Sequence, residues 1–353
     1  MNIVQIAICR YLSSFVQYII DILQVICTDM AGATRLITRF IAPLSGPPCV
    51  DSEFAALRYV SLIPFLSDRV ALPGFTGIWS LHNEFLEIGA GDWEEHAMLL
   101  CALLLGHGLD AYVLLGNAVP DGRVAWVLTY TSGGQVRIWN PAAGRVYLPG
   151  ERGCPLQSIG MIFNAKMIIA NLQPNVKLNE MSFNFNEPRH WNILFNEPWR
   201  QLPLSLQPLQ VMWTPPDVDR ARMIESAIET DIIHRVEALR RLRAPTKWHS
   251  RQVKGRLRSL LEQYEAARCS NTPIDEAVIT TALGRYATTN DVIGVPINMP
   301  FTDIATISDA AITVGVHENY ERGVEFELAV YVVPYHSNIF SVWVYMASLV
   351  PRR

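Results

Sequence analysis

Paired cysteines are missing from this 353-residue sequence: its six cysteines, Cys9, Cys27, Cys49, Cys101, Cys154 and Cys269, show no C-x-x-C spacing. That excludes a zinc cluster and a small disulfide framework, and it points to the reducing interior of a cell. A strong charge of one sign is missing too. The net charge of -4 is too small for a generic polyanion binder and leaves only local patches to consider. No internal repeat or low-complexity tract appears. The most apolar stretch, Ile3 to Cys27, is interrupted by Arg10 and Asp21 and followed by no small-residue cleavage site. An amphipathic helix, or a sequence foreign to the rest, is expected there rather than a membrane span or signal. What the chain has is apolar mass: half of its residues are hydrophobic, enough for one large or two medium cores.

Arg35, Arg39 and the segment Phe40 to Pro48 lead into ordinary globular patterning, with apolar residues at helical or mixed spacing from Ala55 to Phe65 and from Trp79 to Ile88. Gly91-Asp92-Trp93-Glu94-Glu95-His96-Ala97 opens a helix, because Asp92 can cap the free amides and Glu95, three residues on, completes a capping box. Leu99, Leu100, Leu103 and Leu104 make that helix a buried one, and Gly106 and Gly108 stop it. Three strands are expected next, Leu109 to Gly116, Val124 to Thr131 and Gln135 to Trp139, the last closed by Asn140-Pro141. Tyr147 to Pro155 reads as loop. A Pro-rich bridge, Leu202 to Pro216, precedes a helix from about Asp217 in which Ile224, Ile228, Ile232 and Val236 recur every four residues. Alternation at Val324, Phe326, Leu328, Val330 and Val332, followed past Pro334 by Ile339 to Leu349 with Val342 and Val344, predicts a C-terminal β-hairpin with one buried side.

Helix start, strand, strand and Asn-Pro is the order in which transglutaminase-like and papain-like domains present a cysteine, a histidine and an aspartate. Laid on that pattern, Trp93 takes the nucleophile's place, Val124 in Val124-Ala125-Trp126-Val127 the imidazole's, and Asn140 the carboxylate's. A cysteine nucleophile acts as thiolate, made by a helix N-terminus and a neighbouring imidazolium. Trp93 has no ionisable group, Val124 can be neither base nor acid, and Asn140 could at most orient an absent ring. Catalytic residues are therefore expected to be none, with Trp93 plugging the cleft. Cys101 lies two turns inside the helix, where apolar surroundings raise a thiol pKa, and reads as core; His96 reads as structural or surface. Most of the tryptophans (Trp79, Trp126, Trp139, Trp191, Trp199, Trp213, Trp343) also read as core.

Several motifs in order resemble the coiled-coil and C2 domain-containing protein 2A family of the ciliary transition zone. They are Gly91-Asp92 with Glu94-Glu95-His96-Ala97, Gly108-Leu109-Asp110-Ala111, Ile138-Trp139-Asn140-Pro141, Cys154-Pro155-Leu156, Met299-Pro300-Phe301, Gly315-Val316-His317, Val324-Glu325-Phe326 and Ser341-Val342-Trp343. The resemblance covers roughly Ile37 to Arg353 and leaves out the family's coiled coil and C2 parts, so no calcium site, metal or cofactor is expected. It implies an α+β chain with three parts. An N-terminal segment spans 1–48, an inactive transglutaminase-like (papain-like) domain spans 49–205, and a helical region with the β-hairpin spans 206–353. It further implies a non-catalytic scaffold in the cytoplasm at the transition zone or basal body, supporting cilium assembly and binding transition-zone complex proteins, membrane proteins of the ciliary base among them.

Two other functions stay open on the residues. One is a cysteine-dependent peptidase or transglutaminase using Cys101 or Cys154. The other is a peripheral membrane adaptor built on Arg235 to Arg258, where nine basic residues face the single acid Glu237. Arg240, Arg241, Arg243, Lys247, Arg251 and Lys254 are the candidate partner or anionic-lipid surface; otherwise they form a solvated helical face. Nucleic acid is not expected, because no nucleic-acid-binding motif accompanies the charge.

Overall fold

The computed structural model describes residues 25–71, 77–173, 176–195, 204–248 and 251–352. Most of the apolar run expected from Ile3 to Cys27, with Arg10 and Asp21, lies outside the described residues, as does Trp199. Two compact units share the chain: residues 1–46 with 65–212, and residues 47–64 with 213–353. The expected boundary near 205 thus falls at 212, and the segment 47–64, placed by sequence at the start of the first domain, belongs to the second unit.

In the first unit, a small sheet is formed by β1 (Ile26–Asp29), β2 (Thr34–Leu36) and β3 (Ile78–Trp79), with β1 in the middle. A larger antiparallel sheet is built from β4 (Asp110–Ala118), β5 (Gly122–Tyr130), β6 (Val136–Asn140), β7 (Arg145–Tyr147), β8 (Leu156–Phe163), β9 (Ile168–Asn171) and β10 (Trp191–Phe195). Its order is β10-β9-β8-β4-β5-β6-β7. The helix and the first three strands of this sheet follow the sequence reading. The strands β7 to β10 were not legible, since each is a short piece defined by its neighbour in the sheet: β7 pairs with β6, β8 with β4, β9 with β8 and β10 with β9.

The second unit holds a three-stranded sheet of β11 (Asn290–Pro300), β12 (Glu325–Pro334) and β13 (Phe340–Pro351), with β13 central and antiparallel to both. β12 and β13 make the expected hairpin; β11 was missed because Gly294, Pro296 and Pro300 interrupt it. A proline lacks the ladder donor, which a strand tolerates at an edge, and β11 is an edge.

Helices cover both faces of this sheet. The helix α1 (Glu53–Ser61) precedes α2 (Asp68–Ala71), α3 (His82–Ile88) and α4 (Trp93–Gly106) of the first unit, and α5 (Val218–Arg240), α6 (Arg251–Ser270), α7 (Glu276–Ala287) and α8 (Ile304–Thr313) follow in the second. Asp217 caps α5 by accepting from the Arg220 amide at 2.8 Å. The α5 stripe Ile224, Ile228, Ile232 and Val236 packs on Phe326, Leu328, Val330, Val332, Val342, Val344 and Met346. On the opposite face, Val253, Leu257, Leu260 and Leu261 of α6 meet Ala329, Trp343, Tyr345 and Ala347. The hairpin therefore buries two sides, not the one expected. That is the physical reason β13 reads as a nearly continuous apolar run rather than an alternation.

A buried ion pair fixes 47–64 in this unit. Arg58, on α1, donates from Nε to Glu265 Oε1 at 3.0 Å and from Nη2 to Oε2 at 2.6 Å, and both side chains are buried. Ser341 Oγ (2.9 Å), Trp343 Nε1 (2.5 Å) and the Tyr335 hydroxyl also donate to that carboxylate. Arg58 Nη2 reaches Asn298 Oδ1 (2.9 Å) and Ser341 Oγ (2.8 Å) as well. Burial alone would raise the Glu265 carboxyl, but the Arg58 guanidinium and the Tyr335 and Trp343 donors hold it below the usual carboxylate range.

Removing one partner of such a pair strands the other, so Arg58→Ala is expected to destabilise the second unit by about 3 to 5 kcal/mol in denaturant melts. A lowered folded-state pKa stabilises above the unfolded value of 4.5 and is lost as pH falls through the folded value. The double variant Arg58→Met/Glu265→Gln should lack that part of the acid-induced loss; equal pH slopes in the two proteins would refute the assignment. Truncation at Gly323 removes β12 and the central β13, with apolar side chains worth about 1.5 to 3 kcal/mol each. The product is expected to be insoluble or non-cooperative, and a cooperative melt of the second unit would show the hairpin to be dispensable.

Candidate functional site

The helix α4 starts as its sequence dictates. Asp92 Oδ1 accepts from the Glu94 amide at 3.1 Å, and Glu95 Oε2 accepts from the Asp92 amide at 3.2 Å, completing the capping box. Glu95 does a second job that sequence reasoning missed: its Oε1 accepts from the buried Ser80 amide at 3.1 Å, tying β3 to the helix start. Burial pushes the Glu95 carboxyl well above its ordinary range, and the neighbouring Asp92 adds to the effect. At the far end, Gly106 is required by close approach, because a Cβ there would lie 2.0 Å from the Leu44 carbonyl oxygen.

Trp93 sits in the first turn, where a helix N-terminus would favour an anion. Its ring is partly buried, 4.7 Å from that of Phe65, and it packs on the cluster that contains Tyr112, Leu114, Val124, Trp126 and Trp191. The structure thus brings Trp93 and Val124 into one apolar cluster. Asn140 ends β6, and its Oδ1 accepts from the Ala143 amide at 3.0 Å, the work of a turn residue. His96 is fully buried between the Phe85 and Phe65 rings, 5.1 and 6.1 Å away, and its Nδ1 lies 2.6 Å from the Asp92 carbonyl oxygen. A carbonyl only accepts, so that nitrogen carries the proton and the ring is a structural donor.

Cys101 is fully buried and burial drives its thiol far above the ordinary range; Cys154 is partly buried against the same cluster as Trp93, and burial raises its thiol too. Neither has the electropositive surroundings a nucleophilic thiolate needs. His82 is likewise buried, and its pKa is pulled down to about 3 by desolvation. Among the described residues, no group of three or more His, Cys, Asp or Glu side chains is arranged to hold a metal ion. No helix among them is long and apolar enough to cross a membrane.

Four of the nine basic residues of this segment are engaged within the protein, so the segment does not form the one surface expected. Arg240 is fully buried: its Nη1 donates to the His317 and Asn319 carbonyl oxygens at 2.5 and 2.6 Å, and its guanidinium lies 4.3 Å from the Phe326 and 4.7 Å from the Tyr320 ring centroid. Its charge is held by π faces and carbonyls rather than offered to a partner. Lys254 pairs with Glu229, Arg258 with Glu225, and Arg235 with Asp231 and Asp309. The Arg251 side chain lies outside the described residues. Arg241, Arg243 and Lys247 are exposed. The sequence signal for Arg240 was its place one helical turn after Val236, in line with the buried stripe, which the charge pattern masked.

With this geometry in view, residues 77–194 match the CEP76 peptidase-like domain and residues 218–350 match the centrosomal protein of 76 kDa C-terminal domain. Human Protein CC2D2B is 32% identical over 333 residues, 91% of this chain and 23% of the relative. Coiled-coil and C2 domain-containing protein 2A of Drosophila melanogaster is 26% identical over 334 residues, 92% of this chain and 25% of the relative. The chain is homologous to these proteins. It spans about a quarter of their length. The mouse centrosomal protein of 76 kDa is 29% identical over 192 residues, 50% of this chain and 29% of the relative. Among solved structures, calcium-bound LapG of Legionella pneumophila aligns with 38% of this chain and 75% of its own, at 14% identity and a TM-score of 0.31, too low to carry an argument. The match to the peptidase-like model falls within the first unit, and the match to the centrosomal C-terminal model within the second.

Because the Cys101 thiol is a core group, Cys101→Ser is expected to leave any trace peptide hydrolysis unchanged while costing about 1 to 2 kcal/mol for the buried hydroxyl. Loss of a measurable hydrolytic rate in that variant, with the fold intact, would revive an enzymatic reading.

Proposed function

We propose that this chain is part of a non-catalytic scaffold at the base of the cilium, in the cytoplasm at the transition zone or basal body. The observation that carries the reading is Trp93. A partly buried indole occupies the first turn of α4, against Phe65 and in one cluster with Val124, where a transglutaminase-like or papain-like domain would hold its thiolate and imidazole. On this alignment Trp93, Val124 and Asn140 stand for the lost nucleophile, base and orienting carboxylate, and the first unit is a transglutaminase-like pseudoenzyme. Neither Cys101 nor Cys154 offers a substitute, since burial raises both thiols.

Relatives named as a coiled-coil and C2 domain-containing protein and as centrosomal proteins support a role in protein assembly at the centrosome-derived ciliary base. The partners on this reading are transition-zone complex proteins, including membrane proteins of the ciliary base, and the outcome of binding is support for cilium assembly and the membrane-protein gate. Affinity purification of the tagged chain from ciliated cells is the test. Recovery of transition-zone membrane proteins, retained when Trp93 is replaced by phenylalanine, is expected. A chain spread through the cytosol that recovers none of them would refute the scaffold reading.

A further inference from the structure

The C-terminal end of α5 exposes two large apolar side chains. Leu239 and Leu242 lie three residues apart and are 52% and 91% exposed. Single exposed leucines are common on soluble proteins, but this pair is interleaved with the exposed Arg241 and Arg243 and followed by the exposed Lys247. The end of the helix is held firmly from beneath. Arg240 clamps the His317 and Asn319 carbonyls, and its guanidinium is flanked by the Phe326 and Tyr320 rings. Tyr320 is 39% exposed, and the Arg243 guanidinium lies 5.5 Å from its ring centroid. Two leucines, three cations and an amphipathic ring are thus presented together on a rigid support. The Phe326 amide donates to the Lys247 carbonyl oxygen at 2.8 Å, which fixes the segment after the helix along β12.

We infer that this face, Leu239, Arg241, Leu242, Arg243, Lys247 and Tyr320, is a contact site for an anionic lipid bilayer. The charge complementarity is direct: phosphate-bearing headgroups of net negative charge meet the cations, while the leucines enter the headgroup and acyl boundary. Protein partners favour a pocket into which an anchor side chain fits. The open groove along α5 is lined by Met223, Ser226, Ala227, Thr230, Asp231, His234 and Ile304, and the notch between α6 and α7 by Arg256, Ser259 and Ala277 among others; neither includes these residues. A projecting tip of mixed leucine and arginine suits a fluid surface. The exposed acids on the facing loop, Glu318 and Glu321, oppose the same attraction, and Glu237 is engaged by Trp248 Nε1 at 3.0 Å. The inference stands apart from the scaffold reading, because it needs only the purified chain and a vesicle.

Flotation of the full chain with phosphatidylcholine vesicles, with and without phosphatidylserine, decides it. Binding is expected only to the phosphatidylserine vesicles and to weaken as salt rises. Each cation near an anionic surface is worth about a fivefold change in partitioning, so Arg241→Gln/Arg243→Gln/Lys247→Gln should lower it about a hundredfold. Leu239→Ser/Leu242→Ser should weaken binding at every salt concentration, and Glu318→Gln/Glu321→Gln should strengthen it. All of these positions are exposed, so unchanged melting temperatures are expected and exclude misfolding as the cause. A wild-type chain that does not float with phosphatidylserine vesicles, or a triple glutamine variant that floats equally well, overturns the inference. Capture of a soluble acidic protein by these residues without vesicle binding overturns it too.

Discussion

The carboxylate of Glu265 is the constraint on which the second unit is organised. It is buried and ionised, and a bare buried carboxylate would be intolerable, so its donors are recruited from separate parts of the unit: Arg58 from α1, Tyr335 from just past the end of β12, and Ser341 and Trp343 from β13. Arg58 in turn reaches Asn298 on β11. One side chain of α6 therefore registers both edge strands, the central strand and a segment more than two hundred residues away in sequence. This explains why residues 47–64 belong to the second unit although residues on both sides of them belong to the first. Apolar burial supplies most of the stability, but it is non-directional. The directional bonds to Glu265 select which helix lies where.

The first unit shows a helix N-terminus whose first residue, Trp93, carries no ionisable group. Asp92 accepts from the Glu94 amide, Glu95 accepts from the Asp92 and Ser80 amides and so binds β3 to the helix start, and His96 donates to the Asp92 carbonyl. These interactions need no ionisable group at position 93. Trp93 instead closes the first turn against Phe65 and the apolar cluster beneath. The cap thus depends on backbone donors and on Asp92 and Glu95, not on the side chain at position 93.

Charge in the second unit divides by geometry, not by sequence position. Within the span Arg235 to Arg258, four cations are consumed internally: Arg240 by carbonyls and aromatic rings, and Arg235, Lys254 and Arg258 by acids. A linear run of basic residues on a helix winds through all directions at 100° per residue, so some must point inward and be paired. Those on the loop after the helix escape that requirement.

Local pattern alone determined much of this protein. The capping box at Asp92, the buried helix after it, strands β4 to β6, the α5 stripe from Ile224 to Val236 and the hairpin at Val324 to Leu349 all follow from short-range spacing, because capping, periodicity and alternation are properties of neighbouring residues. Tertiary structure decided the rest. The assignment of 47–64, the pairing of the proline-broken β11 with β13, the burial of both hairpin faces and the inward turn of Arg240 each depend on partners tens to hundreds of residues away. Nothing in a local window records whether a charge will meet a distant carboxylate, a carbonyl or water, and it is that distant partner which sets the cost of burying it.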